Sequence, residues 1–179
     1  MGRRPLRGSD RGSDHTARTG PSVHFSGHTE GVTEPCCPPD LTTRSACPQC
    51  GAVATPVDSL TVRALVTPSA LKRFLPGSFC FCATPACGTV YFSGGQQYLT
   101  TDVGVPVWQK EPFGERAVCY CFGENEADMR REIAATGASA AAARVREHIA
   151  AKRCACEIRN PRGVCCLADV IAAVKRVQA

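Results

Sequence analysis

The chain has 179 residues, a formal net charge of +5 and thirteen cysteines. A cysteine share of about 7% is well above ordinary usage and indicates either metal binding or disulfides. Residues 1–30 contain no apolar segment of the kind that a secretory signal requires, and no run of about 18 apolar residues is present to span a membrane. We therefore expect a cytoplasmic protein whose reduced thiols bind metal ions; a disulfide framework with one free thiol is the alternative. The small positive charge does not by itself predict a nucleic-acid partner.

The sequence divides into three parts, namely residues 1–44, 45–115 and 116–179. Residues 1–44 hold few large apolar side chains and many Gly, Pro, Ser, Thr and Arg residues. Such a segment cannot bury enough surface to offset the entropy of ordering, so we predict a disordered tail. Cys36 and Cys37 at its end, followed by two prolines, could capture a soft ion such as Cu(I). The alternative for these two residues is a pair of exposed thiols without a fixed role.

Residues 45–115 carry the pattern of a zinc-ribbon-like domain and a linker. We predict a strand and a short connection over residues 57–66, a short helix capped by Thr67, and strands over residues 79–82 and 89–92. Glycines 94 and 95 are predicted to turn the chain into a further strand. A C-x-x-C knuckle and a C-x4-C pair, separated by 31 residues, would place four thiolates on two turns of this small sheet. The predicted zinc ligands are Cys47, Cys50, Cys82 and Cys87. Cys80 alternates with two phenylalanines and is expected to be structural.

Residues 116–179 are predicted to fold as helices around a second group of thiols. One helix is expected from the Asn125 cap to about residue 135, a second from the Ser139 cap to residue 151, and a third from Leu167 to about residue 177. Two of these helices begin beside cysteines, where unpaired N–H groups stabilise an anionic centre. The six thiols are Cys119, Cys121, Cys154, Cys156, Cys165 and Cys166. This group suits zinc or an iron–sulfur cluster, and the helix starts do not decide between them.

The order of these motifs resembles the N-terminal domain of the CopZ-type copper chaperones, and the helical part resembles bacterioferritin-associated ferredoxin (BFD). The resemblance covers about residues 45–179 and rests on C-P-x-C at 47–50, C-x4-C at 82–87, V-C-Y-C-F-G at 118–123 and N-P-x-G-x-C-C at 160–166. It implies an α+β fold, in which a small zinc-ribbon-like β module with one zinc ion precedes a BFD-like helical module with one [2Fe–2S] cluster.

The resemblance also implies which cysteines bind each metal. It places zinc on Cys47, Cys50, Cys82 and Cys87, as the spacing does. It places the cluster on Cys119, Cys121, Cys156 and Cys166. Cys154 and Cys165 stay as alternatives, because a shift of register in this loop would exchange them for their neighbours. We expect Cys119 and Cys121 to share one iron, since two thiols two residues apart on an extended segment point the same way.

The function that the resemblance implies is a cytoplasmic, metallochaperone-like protein that handles copper or another soft ion, with reduction of Cu(II) to Cu(I) as a further expectation. Its expected partners are metal ions and a metal-transporting ATPase or a separate heavy-metal-binding domain, without nucleic acid or membrane insertion. The sequence lacks the M-x-C-x-x-C motif of family members that deliver copper. A BFD-like electron-transfer or iron-release adaptor is the alternative, and a structural role of both metals is the third hypothesis. Since no nucleophile–base pair or nucleotide loop is recognisable, we do not expect an enzyme.

Overall fold

The computed structural model describes residues 45–179, which lie within one compact unit. The predicted disordered tail, with Cys36 and Cys37, lies outside the described residues. The described chain combines a small antiparallel sheet with a helical module, so the expected mixture of helix and sheet is confirmed. Among residues 45–179, no helix has the length and the apolar character needed to cross a membrane.

The first module is a four-stranded antiparallel sheet with the strand order β1-β2-β3-β4. The strands are β1 (Thr55–Val57), β2 (Phe79–Phe81), β3 (Thr89–Ser93) and β4 (Gln96–Leu99). Gly94 and Gly95 join the last two strands with φ values of 46° and 94°, which residues with a Cβ rarely adopt. The three strands predicted after residue 78 and the glycine turn are therefore confirmed.

Residues 59–65 form a helix where the sequence prediction placed a strand and a connection. Helix α1 (Ser59–Leu65) follows directly after β1. The Asp58 side chain caps this helix by accepting a hydrogen bond from the Leu60 N–H at 2.7 Å. Val62 and Leu65 lie three residues apart and pack into the core above the sheet. The cap and this helical spacing outweigh the strand preference of Thr61 and Val62, and the prediction was wrong here.

The second short helix of this module follows the predicted pattern. Helix α2 (Pro68–Leu71) begins with a proline at its first position. The Thr67 hydroxyl accepts a hydrogen bond from the Ala70 N–H at 3.3 Å, so it caps the helix as predicted. Residues after β4 run through two short 3-10 turns, Thr100–Asp102 and Trp108–Lys110, to reach the second module.

The second module packs three helices around a short hairpin. The hairpin consists of β5 (Ala117–Cys119) and β6 (Glu124–Asn125), and the helices are α3 (Glu126–Thr136), α4 (Ala141–Ala150) and, last in the chain, α6 (Leu167–Gln178). Asn125 caps α3 through the Asp128 N–H at 2.8 Å, as predicted. The start of α4 differs slightly, because Ala140 precedes it while the Ser139 hydroxyl accepts from the Ala141 N–H.

The segment between α4 and α6 contains a further helix, α5 (Cys156–Arg159), where only a loop was predicted. This helix packs against α1 and joins the two modules. The Thr61 hydroxyl donates to the Glu157 carbonyl at 2.6 Å, and the Tyr91 hydroxyl of β3 donates to the Pro161 carbonyl at 2.8 Å. Gly163, with a φ of 68°, permits this close packing, since a Cβ there would lie 2.6 Å from Thr61 Oγ1.

Met129 provides a test of the core of the helical module. Its side chain is fully buried, whereas Ile149 on the neighbouring helix is 37% exposed. Met129→Ala is expected to lower the free energy of unfolding by about 2–5 kcal/mol, because it leaves a cavity. Ile149→Ala is the matched control and should cost less than about 1 kcal/mol. Anaerobic urea unfolding of the metal-loaded protein measures both, and equal losses would contradict this assignment of the core.

Candidate metal centres

The four cysteines predicted to bind zinc meet at one end of the sheet. Cys47 and Cys50 lie in the knuckle before β1, while Cys82 follows β2 and Cys87 precedes β3. Their Sγ atoms all lie within 4.8 Å of one another. The Cys47–Cys87 and Cys50–Cys82 sulfur distances are 3.8 Å and 3.7 Å. A tetrahedral zinc ion with Zn–S bonds of about 2.3 Å requires sulfur separations of about 3.8 Å, so the thiols fit zinc.

Backbone and side-chain hydrogen bonds shape this site locally. The Gly51 N–H donates to the Cys47 carbonyl at 2.8 Å and closes the first knuckle, where Gly51 has a φ of 72°. The Gln49 side chain carbonyl accepts from the Thr89 N–H at 3.0 Å and from the Thr89 hydroxyl at 2.7 Å. These contacts attach the first knuckle to β3, the strand that follows the second pair of cysteines.

The four thiols differ in exposure, since one is accessible to solvent and three are buried. Cys50 is exposed, whereas Cys47, Cys82 and Cys87 are buried. The Thr84 hydroxyl, 3.5 Å from Cys50 Sγ, can donate to the thiolate and lowers the pKa of Cys50 to about 6. Burial raises the pKa of Cys82 to about 11. Without metal, the site therefore presents a thiolate to solvent at Cys50, where an arriving cation meets a ligand that is already deprotonated.

The thiols of the helical module are arranged differently, as two close pairs. Cys121 Sγ and Cys156 Sγ are 3.9 Å apart, and the Cys119 thiol lies close to that of Cys166. Within residues 45–179, only the group in the first module brings three or more possible ligand atoms within 4.8 Å of one another. The second group thus gathers the predicted residues without forming a single compact tetrahedron.

This pairing differs from the expectation that Cys119 and Cys121 share one iron. Strand β5 ends at Cys119, and the following residues form a turn. The Gly123 N–H closes the turn by donating to the Cys119 carbonyl at 2.8 Å, and Gly123 has a φ of 72°. Because Cys121 lies in the turn and not on the strand, the two thiols lack the alternation on which the expectation relied. Each one meets a cysteine from residues 154–166 instead.

Backbone N–H groups and burial determine the electrostatics of these pairs. The Ala155 N–H donates to Cys121 Sγ at 3.4 Å. The hydrogen bond from the Cys166 thiol lowers the pKa of Cys119 to about 7, and backbone hydrogen bonds from Phe122 and Cys121 act in the same direction. Burial raises the pKa of Cys156 to about 12. Donors directed at sulfur stabilise thiolates, and this is the environment that an anionic metal centre requires.

The two alternative cysteines lie beside the pairs. Cys154 is half-buried, and burial raises the pKa of its thiol. Cys165 is exposed and directly precedes Cys166. The selection of Cys119, Cys121, Cys156 and Cys166 over these two stays a prediction.

Three residues that contact the zinc thiols or their knuckles belong to no predicted ligand set. Gln49 lies between Cys47 and Cys50, and Thr84 lies between Cys82 and Cys87. This position between predicted ligands was the sequence signal that could have identified both residues. The Lys110 ammonium donates to the carbonyls of Thr84 and Cys87 at 2.9 Å and 2.8 Å. It lies 23 residues after Cys87, so no motif marks it.

Comparisons with known proteins agree with the first module. Residues 44–104 match a CopZ-type family model described as a zinc binding domain. The X-ray structure of the Archaeoglobus fulgidus CopZ N-terminal domain is similar, with a TM-score of 0.59 and 27% sequence identity over 72% of this chain and 96% of that chain. Comparison with curated proteins gives no match. The likeness to CopZ N-terminal domains and the zinc-binding module are thus confirmed, whereas the likeness of residues 116–179 to BFD stays a prediction.

Chemical modification tests the unequal thiols of the first site. In reduced, zinc-free protein, iodoacetamide should modify Cys50 before Cys47, Cys82 and Cys87, because Cys50 is exposed and has a pKa of about 6. Its rate should fall as the pH is lowered through 6, since the thiolate becomes protonated. Time-resolved peptide mass spectrometry measures the rates. Thr84→Val should move the midpoint to higher pH. Equal rates at all four thiols, in zinc-free protein whose circular dichroism shows that it stays folded, would contradict the geometry.

Zinc content tests the ligand set itself. Cys87→Ser is expected to lose the zinc ion and to lower the melting temperature, because metal binding supplies folding free energy in such small modules. Cys80→Ala is the matched control: Cys80 is buried in the same cluster of side chains as Cys47, Cys82 and Cys87 but is not in the four-thiol group. The control should retain one zinc per chain. Retention of full zinc by Cys87→Ser would refute this assignment.

Proposed function

We propose that the protein is a metallochaperone-like, non-enzymatic binding protein for copper or another soft ion, with a structural zinc ion and a [2Fe–2S] cluster as its resident metals. The observation that carries this proposal is the contrast between the two groups of thiols. One group is compact, with every sulfur within 4.8 Å of the others, and the other consists of two close pairs.

The two arrangements suit centres with different numbers of metal ions. A single zinc ion needs four sulfurs at tetrahedral separations, as in the first module. A [2Fe–2S] cluster takes four cysteine thiolates, two on each iron, so its ligands occur as two pairs. Cys121 and Cys156 would hold one iron and Cys119 and Cys166 the other. When bound, the cluster supplies one-electron chemistry, which suits the reduction of Cu(II) to Cu(I).

The protein's own residues support such a centre by burial and by hydrogen bonds. Cys119, Cys156 and Cys166 are buried, so water has limited access to three of the four thiolates. The N–H groups directed at Cys119 and Cys121 stabilise negative charge on sulfur. Helix α6 begins directly after Cys166, and unpaired N–H groups at a helix start act in the same direction.

Copper handling is proposed from the thiols that are assigned neither to zinc nor to the cluster. Cys154 and Cys165 flank the two pairs, and soft thiolates are the ligands that Cu(I) prefers. Transfer would proceed by ligand exchange to a metal-transporting ATPase or to a separate heavy-metal-binding domain. The similarity to a CopZ N-terminal domain supports this class of function. We place the protein in the cytoplasm, where thiols stay reduced.

A BFD-like electron-transfer or iron-release adaptor is the second candidate. The observation that favours it is the surface position of one edge of the second thiol group. Cys121 is only half-buried, and Cys165 next to Cys166 is exposed. A cluster at this edge would lie close enough to the surface to exchange an electron with a bound partner.

Anaerobic purification followed by metal and sulfide analysis tests the two resident metals. We expect about one zinc, two irons and two acid-labile sulfides per chain. Zinc without iron or sulfide would contradict the cluster. Stoichiometric, tight Cu(I) binding that is lost in the Cys154→Ala, Cys165→Ala double variant would support the chaperone. A reversible cluster potential without such copper binding would favour the adaptor.

A series of cysteine variants tests the cluster ligands. Cys119→Ala, Cys121→Ala, Cys156→Ala and Cys166→Ala should each lose the visible absorption of the cluster and the paramagnetic signal of its reduced state. Cys154→Ala and Cys165→Ala are the matched controls and should keep both signals. Loss of the cluster in Cys154→Ala together with retention in Cys156→Ala would show that Cys154 is the ligand and Cys156 is not.

A further inference from the structure

The two groups of thiols are connected by a short segment of the linker, residues 106–110, which we call the strap. The strap contains the second 3-10 turn, Trp108–Lys110, and lies between the sheet and the helical module in sequence. We propose that the strap couples the two metal sites, with Lys110 and Tyr120 as the positioning residues at its two ends. This inference rests on the proposed function for the identity of the two metals. It adds a coupling between the zinc site and the cluster site, which the metal assignments alone do not predict.

Lys110 attaches the strap to the segment that carries Cys82 and Cys87. Its ammonium donates to the carbonyls of Thr84 and Cys87 at 2.9 Å and 2.8 Å. Both carbonyls belong to the C-x4-C segment from Cys82 to Cys87, which we call the second knuckle. Hydrogen bonds from a charged donor are stronger than those between neutral groups. Two such hydrogen bonds from one ammonium fix the position of Lys110 on this knuckle.

Tyr120 attaches the strap to the second group of thiols. It lies between Cys119 and Cys121 in sequence, within the segment that supplies one member to each close pair. Its hydroxyl accepts a hydrogen bond from the Trp108 N–H at 3.0 Å and donates one to the Pro106 carbonyl at 2.7 Å. A single side chain thus holds two positions of the strap against the Cys119–Cys121 segment.

Between Lys110 and Tyr120, the strap also contacts both modules, so a displacement at one end is transmitted to the other. The Lys110 N–H donates to the Val107 carbonyl at 2.7 Å and closes the turn. Val107 is buried in the core of the sheet module. The Trp108 ring lies against Arg116 and Arg176 of the second module, with guanidinium carbons 5.9 Å and 5.7 Å from the ring centroid.

Thermodynamic coupling is reciprocal, and this property gives the sharpest test. In the full-length protein, Lys110→Met should raise amide hydrogen exchange not only near Thr84 but also in residues 119–123, which it does not contact. Tyr120→Phe should likewise raise exchange in residues 82–87. We expect increases of about three- to tenfold, the effect of losing one or two net hydrogen bonds. Lys110→Arg retains a two-carbonyl donor and should restore the wild-type rates.

Matched controls separate coupling from general destabilisation. Lys72→Met removes an exposed lysine of the same module, and Tyr98→Phe removes a hydroxyl whose hydrogen bond to Gln96 stays within that module. Neither control should change exchange at the distant thiol segment. Tyr120→Phe deletes a single oxygen atom, so it supplies the answer even if Lys110→Met fails to fold. Changes confined to the mutated module in both variants would overturn the proposal.

Metal release provides the second arm of the test. In protein that holds both metals, removal of zinc by a chelator should increase the rate of loss of the cluster's visible absorption about three- to tenfold. In Tyr120→Phe this dependence on zinc should become weaker, because the strap loses its two hydrogen bonds to the Cys119–Cys121 segment. Equal rates of cluster loss with and without zinc in the wild type would overturn the coupling. Absence of iron and sulfide would refute the proposed cluster instead, and the exchange arm would still decide on the strap.

Discussion

The close approach of four thiols in the first module is the constraint on which the rest of the structure depends. Thiolates within 4.8 Å of one another repel, and three of the four are buried, where an uncompensated charge is costly. A bound cation converts this repulsion into attraction, so metal binding contributes directly to folding. The sheet consists of strands of three to five residues, and such a small module gains much of its stability from a metal.

The helical module also brings thiols close together, but as two pairs and not as one group of four. Two pairs of thiols are brought together by the turn after β5 on one side and by α5 and the start of α6 on the other. The packing of α5 on α1 and the bond from Tyr91 to Pro161 place the sheet module against this segment. The fold therefore presents two sets of thiols, and the second set is held in place partly by contacts of α5 and Pro161 with the sheet module.

Local signals explain what the sequence could predict, and non-local contacts explain what it could not. The C-x-x-C knuckle, the caps at Thr67 and Asn125 and the turn at Gly94 act over a few residues, so their pattern is readable in the chain. Helix α1 was missed because its β-branched residues suggested a strand, while its stability comes from the Asp58 cap and from burial against the sheet. The pairing of Cys119 with Cys166 and the bonds of Lys110 and Tyr120 join residues far apart in sequence, or depend on a turn that no periodicity marks.

The central claim is that the two thiol groups hold centres with different numbers of metal ions, one zinc and two irons. X-ray absorption at the zinc and iron edges of the anaerobically purified protein tests this claim most directly. The account predicts zinc surrounded by four sulfurs at about 2.3 Å with no metal neighbour. It predicts iron surrounded by sulfur and accompanied by a second iron, and both iron features should vanish in Cys119→Ala while the zinc spectrum stays unchanged. Zinc in both sites, or iron without an iron neighbour, would contradict the claim.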